Sequence, residues 1–133
     1  MTKPFIFVNT YTIKPGKTEE YWKKFQDVAD LVEAKEPRML YFAGHTNEDR
    51  STATTVQVHA DPDNMLFHMQ LIEDHIREAA EYLDFSTMSI QIYGSPTEAV
   101  LDFIRELDGS GVNVTVNPAV VEFDRFTESV SSH

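Results

Sequence analysis

This chain of 133 residues contains no cysteine, which excludes disulfides, thiolate nucleophiles and thiolate metal sites. Basic residues are scarce, because 11 Lys and Arg stand against 22 Asp and Glu and give a formal net charge of −11. A surface of that sign repels phosphate, so nucleic acid and anionic membranes are poor partners. The sequence also lacks a run of about 18 apolar residues and a leader-like start. We therefore expect an unprocessed, cytoplasmic protein.

Apolar residues are present in sufficient number for one core. They make up 41% of the chain and include 9 Phe and 5 Tyr. At this length we expect a single domain over 1–133, with its core in 5–93 and a C-terminal extension in 94–133.

Six elements are predicted between residues 5 and 93, in the order strand, helix, strand, strand, helix, strand. Alternating β-branched and aromatic residues predict the strands 5–13, 38–46, 52–59 and 85–93. The first helix is expected to have Thr18 as its N-cap and to stop before Pro37. The second is expected to open at Asp61-Pro62 as cap and first helical residue, and its apolar spacing predicts one continuous helix to Leu83.

The C-terminal extension carries a weaker pattern. Ser95-Pro96-Thr97-Glu98 resembles a capping box that opens a short helix, which Gly109 and Gly111 would end. Residues 112–116 and 119–123 are candidates for one or two further strands, and 127–133 for a frayed polar end.

The order of elements defines the expected architecture. Two crossovers through helices give a ferredoxin-like βαββαβ sandwich of the α+β class, with both helices on one face of the sheet. The other face, which carries Ile6 and Val8, is too apolar to remain in water. A twofold partner is the usual cover for such a face, so we expect a homodimer.

Two segments resemble the antibiotic biosynthesis monooxygenase family. They are Asn9-Thr10-Tyr11-Thr12-Ile13-Lys14-Pro15-Gly16, with the helix behind it, and Val56-Gln57-Val58-His59-Ala60-Asp61. The resemblance covers about residues 5–93 and implies a dimeric α+β barrel with a ligand cavity between helices and sheet. Members of the family include cofactor-free oxygenases, haem-degrading enzymes, isomerases, decarboxylases and proteins without known activity.

Asn9 is the first candidate for a catalytic residue, because in haem-degrading members an asparagine at a similar place on the first strand faces the cavity. Its amide can donate a hydrogen bond to a ligand oxygen or to a developing oxyanion. The alternative, an amide bonded to the backbone or to water, stays open.

Histidine is the other candidate type, at His45, His59, His68 and His75. His68 and His75 are seven residues apart, or roughly 10.5 Å along a helix, so they cannot chelate one ion as a pair. No metal is therefore predicted. Both flank the apolar stripe near Ile72, and we take His68 and His75 as candidate catalytic bases. Hydrogen-bonded histidines at the edge of the core are the alternative.

The candidate substrate-binding residues are Trp22, Tyr41, His59, Phe67 and Tyr93. Aromatic residues at such spacing are also typical of a core. No cofactor is expected, because the haem ligand that the resemblance implies would fall near Glu78, where no histidine stands.

Three functions remain open. The first is a cofactor-free monooxygenase acting on a planar, electron-rich organic molecule in a pocket between sheet and helices. The second is a non-catalytic dimeric module that binds a small apolar ligand or has no cavity, and a pocket filled solid by side chains would favour it. A haem-binding member of the family is a third alternative.

Overall fold

The computed structural model describes residues 3–108 and 112–125. These residues form five strands and four helices: β1 Phe5–Ile13, α1 Thr18–Lys35, β2 Met39–Thr46, β3 Thr52–His59, α2 Asp63–Leu71, α3 Glu73–Glu78, β4 Leu83–Tyr93, α4 Glu98–Asp108 and β5 Asn113–Asn117. A short 3₁₀ turn, Ala79–Glu81, lies between α3 and β4. The predicted succession of strands and helices in 5–93 is confirmed, apart from a break in the second helix.

The strands form one sheet in the order β2-β3-β1-β4-β5. The first four pair antiparallel, and β5 pairs parallel to β4 after the crossover through α4. The first four strands have the ferredoxin-like arrangement, which confirms the predicted α+β class, and the extension adds a helix and an edge strand.

The central strand, β1, shows why the core lies on one side of the sheet. Phe5, Phe7, Tyr11 and Ile13 alternate with residues of the other face, and all four are buried beneath the helices. We call this helix-covered side the inner face and the opposite side the outer face.

The first helix, α1, begins at Thr18 itself, and Lys17 occupies the N-cap position without a side-chain hydrogen bond. The prediction that Thr18 is the cap is therefore wrong by one residue. The helix ends as expected before Pro37. The N–H of Glu36 donates to the carbonyl of Val32, which closes the last turn.

The second predicted helix is not continuous. It breaks at Ile72, whose φ of −101° and ψ of 11° are not helical, and this separates α2 from α3. The α2 segment buries Met65, His68 and Met69, whereas α3 buries no residue. The prediction of one helix to Leu83 is wrong, because apolar spacing reports the face of a helix and is insensitive to a change in its direction.

Capping explains where two helices start. Asp61 accepts a hydrogen bond from the N–H of Asn64 at 3.1 Å, and Pro62 already has helical dihedral angles. The predicted start at Asp61 is thus confirmed. For α4 the cap is Thr97, whose hydroxyl accepts from the N–H of Val100 at 3.3 Å, so the predicted capping by Ser95 is wrong.

The extension contributes one strand in its described part. Residues 113–117 form β5, as predicted, while 118–125 are irregular and the second strand expected at 119–123 is not formed. The predicted stop at Gly109 and Gly111 and the predicted polar end over 127–133 lie outside the described residues. Within those residues, no helix is both long and apolar enough to cross a bilayer.

Candidate active site

A cavity of about 160 Å³ lies between the inner face of the sheet and the helices. Its walls are mainly apolar, and Phe103 of α4 and Val112 close one side. Polar side chains reach it from the sheet and from three helices: Asn9, Tyr11, Tyr21, Thr55, Gln57, His68 and His75. Among the described residues that line it, none is Lys, Arg, Asp or Glu. The cavity is therefore an apolar space with a few hydrogen-bonding groups and no fixed charge on its wall.

Glu36 and His68 form the most distinctive polar contact beside the cavity. Nδ1 of His68 donates to Oε2 of Glu36 at 2.6 Å, and both side chains are excluded from solvent. The other ring nitrogen, Nε2, is buried without a hydrogen-bond partner in the described structure, and His68 lines the cavity. A carboxylate on Nδ1 fixes the tautomer and leaves the lone pair of Nε2 available as a base.

The local sequence explains how these two side chains meet. Pro37 stops α1 and restricts the backbone of Glu36, so the carboxylate sits at the end of the helix. His68 stands one turn after Met65 on the buried side of α2. The start of α2 is held by Asp61, which caps the helix and accepts from Nε of Arg38 at 2.9 Å.

A hydrogen-bonded chain continues from the same carboxylate. Nδ2 of Asn64 lies 3.2 Å from Oε1 of Glu36 and 2.9 Å from Nδ1 of His59. Nε2 of His59 lies 2.9 Å from Oε1 of Gln57, which again lines the cavity. The chain therefore starts and ends at the cavity wall, with Glu36, Asn64 and His59 behind it.

His59 is held neutral in this chain. Burial lowers its pKa to about 3; repulsion from His68 acts in the same direction whenever that ring is protonated, and the charge of Asp61 only partly opposes these effects. The rings of His59 and His68 meet edge to face with centroids 5.7 Å apart. A neutral His59 carries one ring hydrogen, so it donates through one nitrogen and accepts through the other.

A second polar group lies at the end of the cavity formed by β1 and α1. The hydroxyls of Tyr11 and Tyr21 are hydrogen-bonded to each other, and that of Tyr11 lies 3.1 Å from the hydroxyl of Thr55. Burial is the main cause that raises the pKa of both phenols. They are therefore neutral hydroxyls that can donate to an oxygen of a ligand.

The structure places the three candidate catalytic residues, Asn9, His68 and His75, on the cavity wall. Oδ1 of Asn9 is buried and has no partner among the described residues. His75 also borders a smaller recess between α1 and α3, which Lys24 and Glu78 line as well. The roles of all three residues stay predictions.

The five candidate substrate-binding residues lie elsewhere. Trp22 is edge-on to Tyr21 and Phe25, with centroids 4.9 and 5.5 Å away, and packs between α1 and β2. His59 is behind the wall. Tyr41, Phe67 and Tyr93 are 41–46% exposed. None of the five lines this cavity. Strand alternation directs Tyr41 and Tyr93 to the outer face, and Phe67 lies on the exposed side of α2. Trp22 and His59 are on the helix-covered side, but they pack behind the residues that form the wall.

Sequence reasoning missed Glu36, Asn64, Gln57 and the tyrosine pair. Gln57 and its neighbours had a usable signal, since Thr55, Gln57 and His59 recur at every second position of β3 and therefore share one face of the strand. Glu36 had none, because it lies between Lys35 and Pro37 in a polar stretch.

Metal binding has no support in this geometry. Within residues 3–108 and 112–125, no group of three His, Asp or Glu side chains is arranged to hold an ion.

The fold and the cavity together define a ferredoxin-like α+β protein with a polar cluster between sheet and helices. No protein-family model and no curated protein matches the sequence. Solved structures do match in fold. MupZ from Pseudomonas fluorescens superposes with a TM-score of 0.69 at 17% identity, over 94% of this chain and 91% of MupZ.

Two further structures carry a functional name. A Caulobacter crescentus protein named as a candidate antibiotic biosynthesis monooxygenase has a TM-score of 0.62 at 19% identity, over 68% of this chain and 88% of that one. A mutant of SnoaB, a cofactor-independent oxygenase from Streptomyces nogalater, has a TM-score of 0.59 at 16% identity, over 71% and 94%. The chain thus has the fold of the antibiotic biosynthesis monooxygenases, and the predicted resemblance is confirmed at the level of the fold.

Proposed function

We propose that this protein is a cofactor-independent oxygenase of a planar, electron-rich organic molecule, with His68 as its base. The observation that carries the proposal is the hydrogen bond of the Glu36 carboxylate to Nδ1 of His68, which leaves Nε2 unpartnered at the cavity among the described residues. The fold shared with SnoaB, which is a cofactor-independent oxygenase, supports it. Substrates of this kind supply the electrons that reduce oxygen.

The reaction begins with a proton transfer. Nε2 of His68 takes a proton from an acidic CH₂ group beside a carbonyl, and the electron pair of that bond stays on the substrate as an enolate. The enolate passes one electron to O₂, and the two radicals combine to form a carbon–oxygen bond. The resulting peroxide anion takes the proton back from His68.

The hydroperoxide then loses water. The remaining hydrogen of the same carbon leaves as a proton, its electron pair forms the new carbon–oxygen π bond, and the O–O bond breaks to release hydroxide. Hydroxide and proton give water, so the balance is CH₂ + O₂ → C=O + H₂O. The four electrons that O₂ gains all come from the substrate carbon, and no external reductant is needed.

The other polar residues of the cavity stabilise the negative charge of the enolate or bind the substrate. Asn9 lies next to the cavity with its amide free to turn, so it can donate to the enolate oxygen. His68 is preferred to His75 as the base, because the part of the chain that the structure describes offers His75 no hydrogen-bond partner to orient its ring.

A binding module without catalysis is favoured less by this geometry. A pocket filled solid by side chains would have favoured it, whereas the cavity of about 160 Å³ is comparable to one of about 150 Å³ that admits benzene. The polar chain that orients His68 also has no evident use in a purely apolar binding site.

The test separates the proton transfer from the oxidation. β-Tetralone has an acidic CH₂ between its ring and its carbonyl. Under argon, the protein is expected to accelerate exchange of these hydrogens with D₂O, and under oxygen-18 gas to place the label in the new carbonyl. His68→Gln is expected to slow the exchange by about 100-fold or more.

His45→Gln is the matched control, since His45 is exposed on β2. If the His68→Gln variant exchanges the hydrogens as fast as the wild type, His68 is not the base. Exchange without oxygen uptake would leave the base in place and exclude the oxygenase.

We also propose that the protein functions as a homodimer. Ile6 and Val8 on the outer face are only half-buried, and Tyr41 and Tyr93 are exposed there. The segment after β5 adds three apolar side chains, Val120, Val121 and Phe123, that are 77–95% exposed. Apolar area of this extent supports a second copy as cover.

Light scattering during gel filtration tests the dimer. Twice the chain mass of 15.2 kDa is expected at micromolar concentration, and Val8→Lys is expected to shift the protein to monomer. A monomeric wild type under the same conditions would contradict the proposal.

A further inference from the structure

The hydrogen positions in the buried chain are fixed by the carboxylate at its end. Glu36 can only accept as a carboxylate, so the Asn64 atom 3.2 Å from it is the NH₂ group. The same NH₂ lies 2.9 Å from Nδ1 of His59, which must therefore accept. The one hydrogen of a neutral His59 is then on Nε2, which donates to Oε1 of Gln57.

These hydrogen positions also determine the orientation of the Gln57 side-chain amide. Because its oxygen is held by His59, the amide orientation is determined, and its NH₂ group makes no hydrogen bond with the described residues. Gln57 lines the cavity. The NH₂ group is thus a donor with a fixed direction, available to a ligand.

Gln57 and His68 line the same part of the cavity. Phe42 pairs with Gln57 in the sheet register, and its ring lies 5.7 Å from the ring of His68. One chain of hydrogen bonds therefore sets a donor at Gln57 and an acceptor at Nε2 of His68. Asn9 differs, since its amide has no described partner to prevent it from turning.

We propose that the cavity selects a neutral ring compound bearing both a hydroxyl or enol group and a carbonyl group. Gln57 donates to the carbonyl oxygen, and the lone pair of His68 Nε2 accepts from the hydroxyl. In a substrate that binds as its enol, removal of this hydroxyl proton gives the same enolate as removal of a proton from the CH₂ group. Gln57 is in this view the residue that determines specificity. The inference deepens the proposed function, because it uses the same cavity and the same histidine.

The charge and the size of the cavity further limit the class of ligand that it can bind. No cationic side chain of the described residues lines the wall, so a carboxylate or phosphate would be buried without a counter-charge. A volume of about 160 Å³ holds about one ring, and a larger molecule must extend beyond the cavity.

Calorimetric binding under argon tests the selection. The probes are ortho-, meta- and para-hydroxyacetophenone, which carry both groups, with phenol and acetophenone, which carry one each, and meta-hydroxybenzoate as the anion. The best hydroxyacetophenone is expected to bind about fivefold to tenfold more tightly than either single-group compound, as one further hydrogen bond provides. The benzoate is expected to bind most weakly.

Gln57→Glu isolates the donor. A carboxylate still accepts from Nε2 of His59, but it offers the ligand no N–H. The preference for hydroxyacetophenone over phenol is expected to disappear, while phenol keeps its affinity within about twofold. Gln57→Met, which also lacks the donor but adds no charge, is the second variant if the first fails to fold.

Gln70→Glu on the exposed side of α2 is the matched control for the change in charge. If no hydroxyacetophenone binds more tightly than the single-group compounds, or none binds at all, the proposed ligand class is wrong. A preference that survives in both Gln57 variants would remove Gln57 as its cause. Because no turnover is measured, a failure of the oxygenase test and a failure here are distinguishable.

Discussion

The carboxylate of Glu36 accepts a 2.6 Å hydrogen bond from Nδ1 of His68, 32 residues away in the chain, with both side chains shielded from solvent. This contact joins the end of α1 to the middle of α2 and orients the imidazole over the cavity. It also supplies the acceptor from which the rest of the chain, through Asn64 and His59 to Gln57, takes its direction.

Removal of Glu36 is expected to destabilise the fold. Glu36→Ala leaves the N–H of His68 and one N–H of Asn64 without an acceptor, and each buried donor left unsatisfied costs about 1–3 kcal/mol. Urea denaturation measures the loss. The exposed Glu33→Ala on α1 is the control and should change the free energy of unfolding by less than about 0.5 kcal/mol. Equal effects of the two variants would contradict a structural role for the contact.

The stability of the protein is expected to fall as the pH falls below about 6.5. Burial lowers the pKa of His59 to about 3, so the unfolded chain, with a histidine pKa of about 6.5, binds a proton that the folded chain does not. Between these values His59 alone accounts for up to about 1.4 kcal/mol per pH unit.

Unfolding in urea at several pH values measures how steeply the free energy of unfolding changes with pH. His59→Gln is expected to be less stable at pH 7 but to depend less on pH, so the gap to the wild type narrows toward acid. His45→Gln, at an exposed position, should keep the wild-type slope. An unchanged slope in His59→Gln would show that another group causes it.

Tyr11 and Tyr21 are expected to resist ionisation until the protein unfolds. Burial raises the pKa of Tyr21, and the adjoining phenol of Tyr11 adds to the effect; for Tyr11, burial outweighs the opposing hydrogen bonds from Thr55 and Tyr21. Because the unfolded phenols ionise near pH 10, these two residues reduce stability as the pH rises above that value.

Phenolate absorbance followed against pH measures the two residues directly. The step that coincides with unfolding should lose amplitude in Tyr21→Phe and keep it in Tyr41→Phe, since Tyr41 is exposed on the outer face. A wild type whose tyrosines all ionise before unfolding would contradict the burial of the pair.

Close packing at Gly44 is expected to exclude a larger residue. A Cβ atom there would lie 2.6 Å from Cζ3 of Trp22 and 2.9 Å from Cε1 of Phe25. Gly44→Ala should therefore cost about 1–3 kcal/mol, because two packed rings must move. Thermal unfolding followed by far-ultraviolet circular dichroism measures it. The double variant with Trp22→Leu should recover part of the loss, and strictly additive effects would contradict the contact.

The sequence predicted the fold well because its signals are local. Alternation along Phe5–Ile13, the breaks at Pro15 and Pro37 and the cap at Asp61 each act over a few residues, and together they fix the elements and the inner face of β1. The break at Ile72 was missed, since α2 and α3 keep the same apolar spacing while the chain changes direction between them.

The site was predicted less completely, and for a physical reason. His68 and His75 were selected by residue type and by the face they occupy, which are readable from the chain, and Asn9 was selected by the resemblance to haem-degrading enzymes. Their partners were not, because nothing near Glu36 indicates that α1 and α2 pack so as to bring its carboxylate to His68.

The sequence by itself thus determined the strands, most of the helices, the face of each that is buried and the absence of thiol chemistry. Only the tertiary structure decided which buried polar groups meet. A polar side chain in a core must find a partner, and the choice of partner depends on distances between elements far apart in the chain, which local periodicity does not encode.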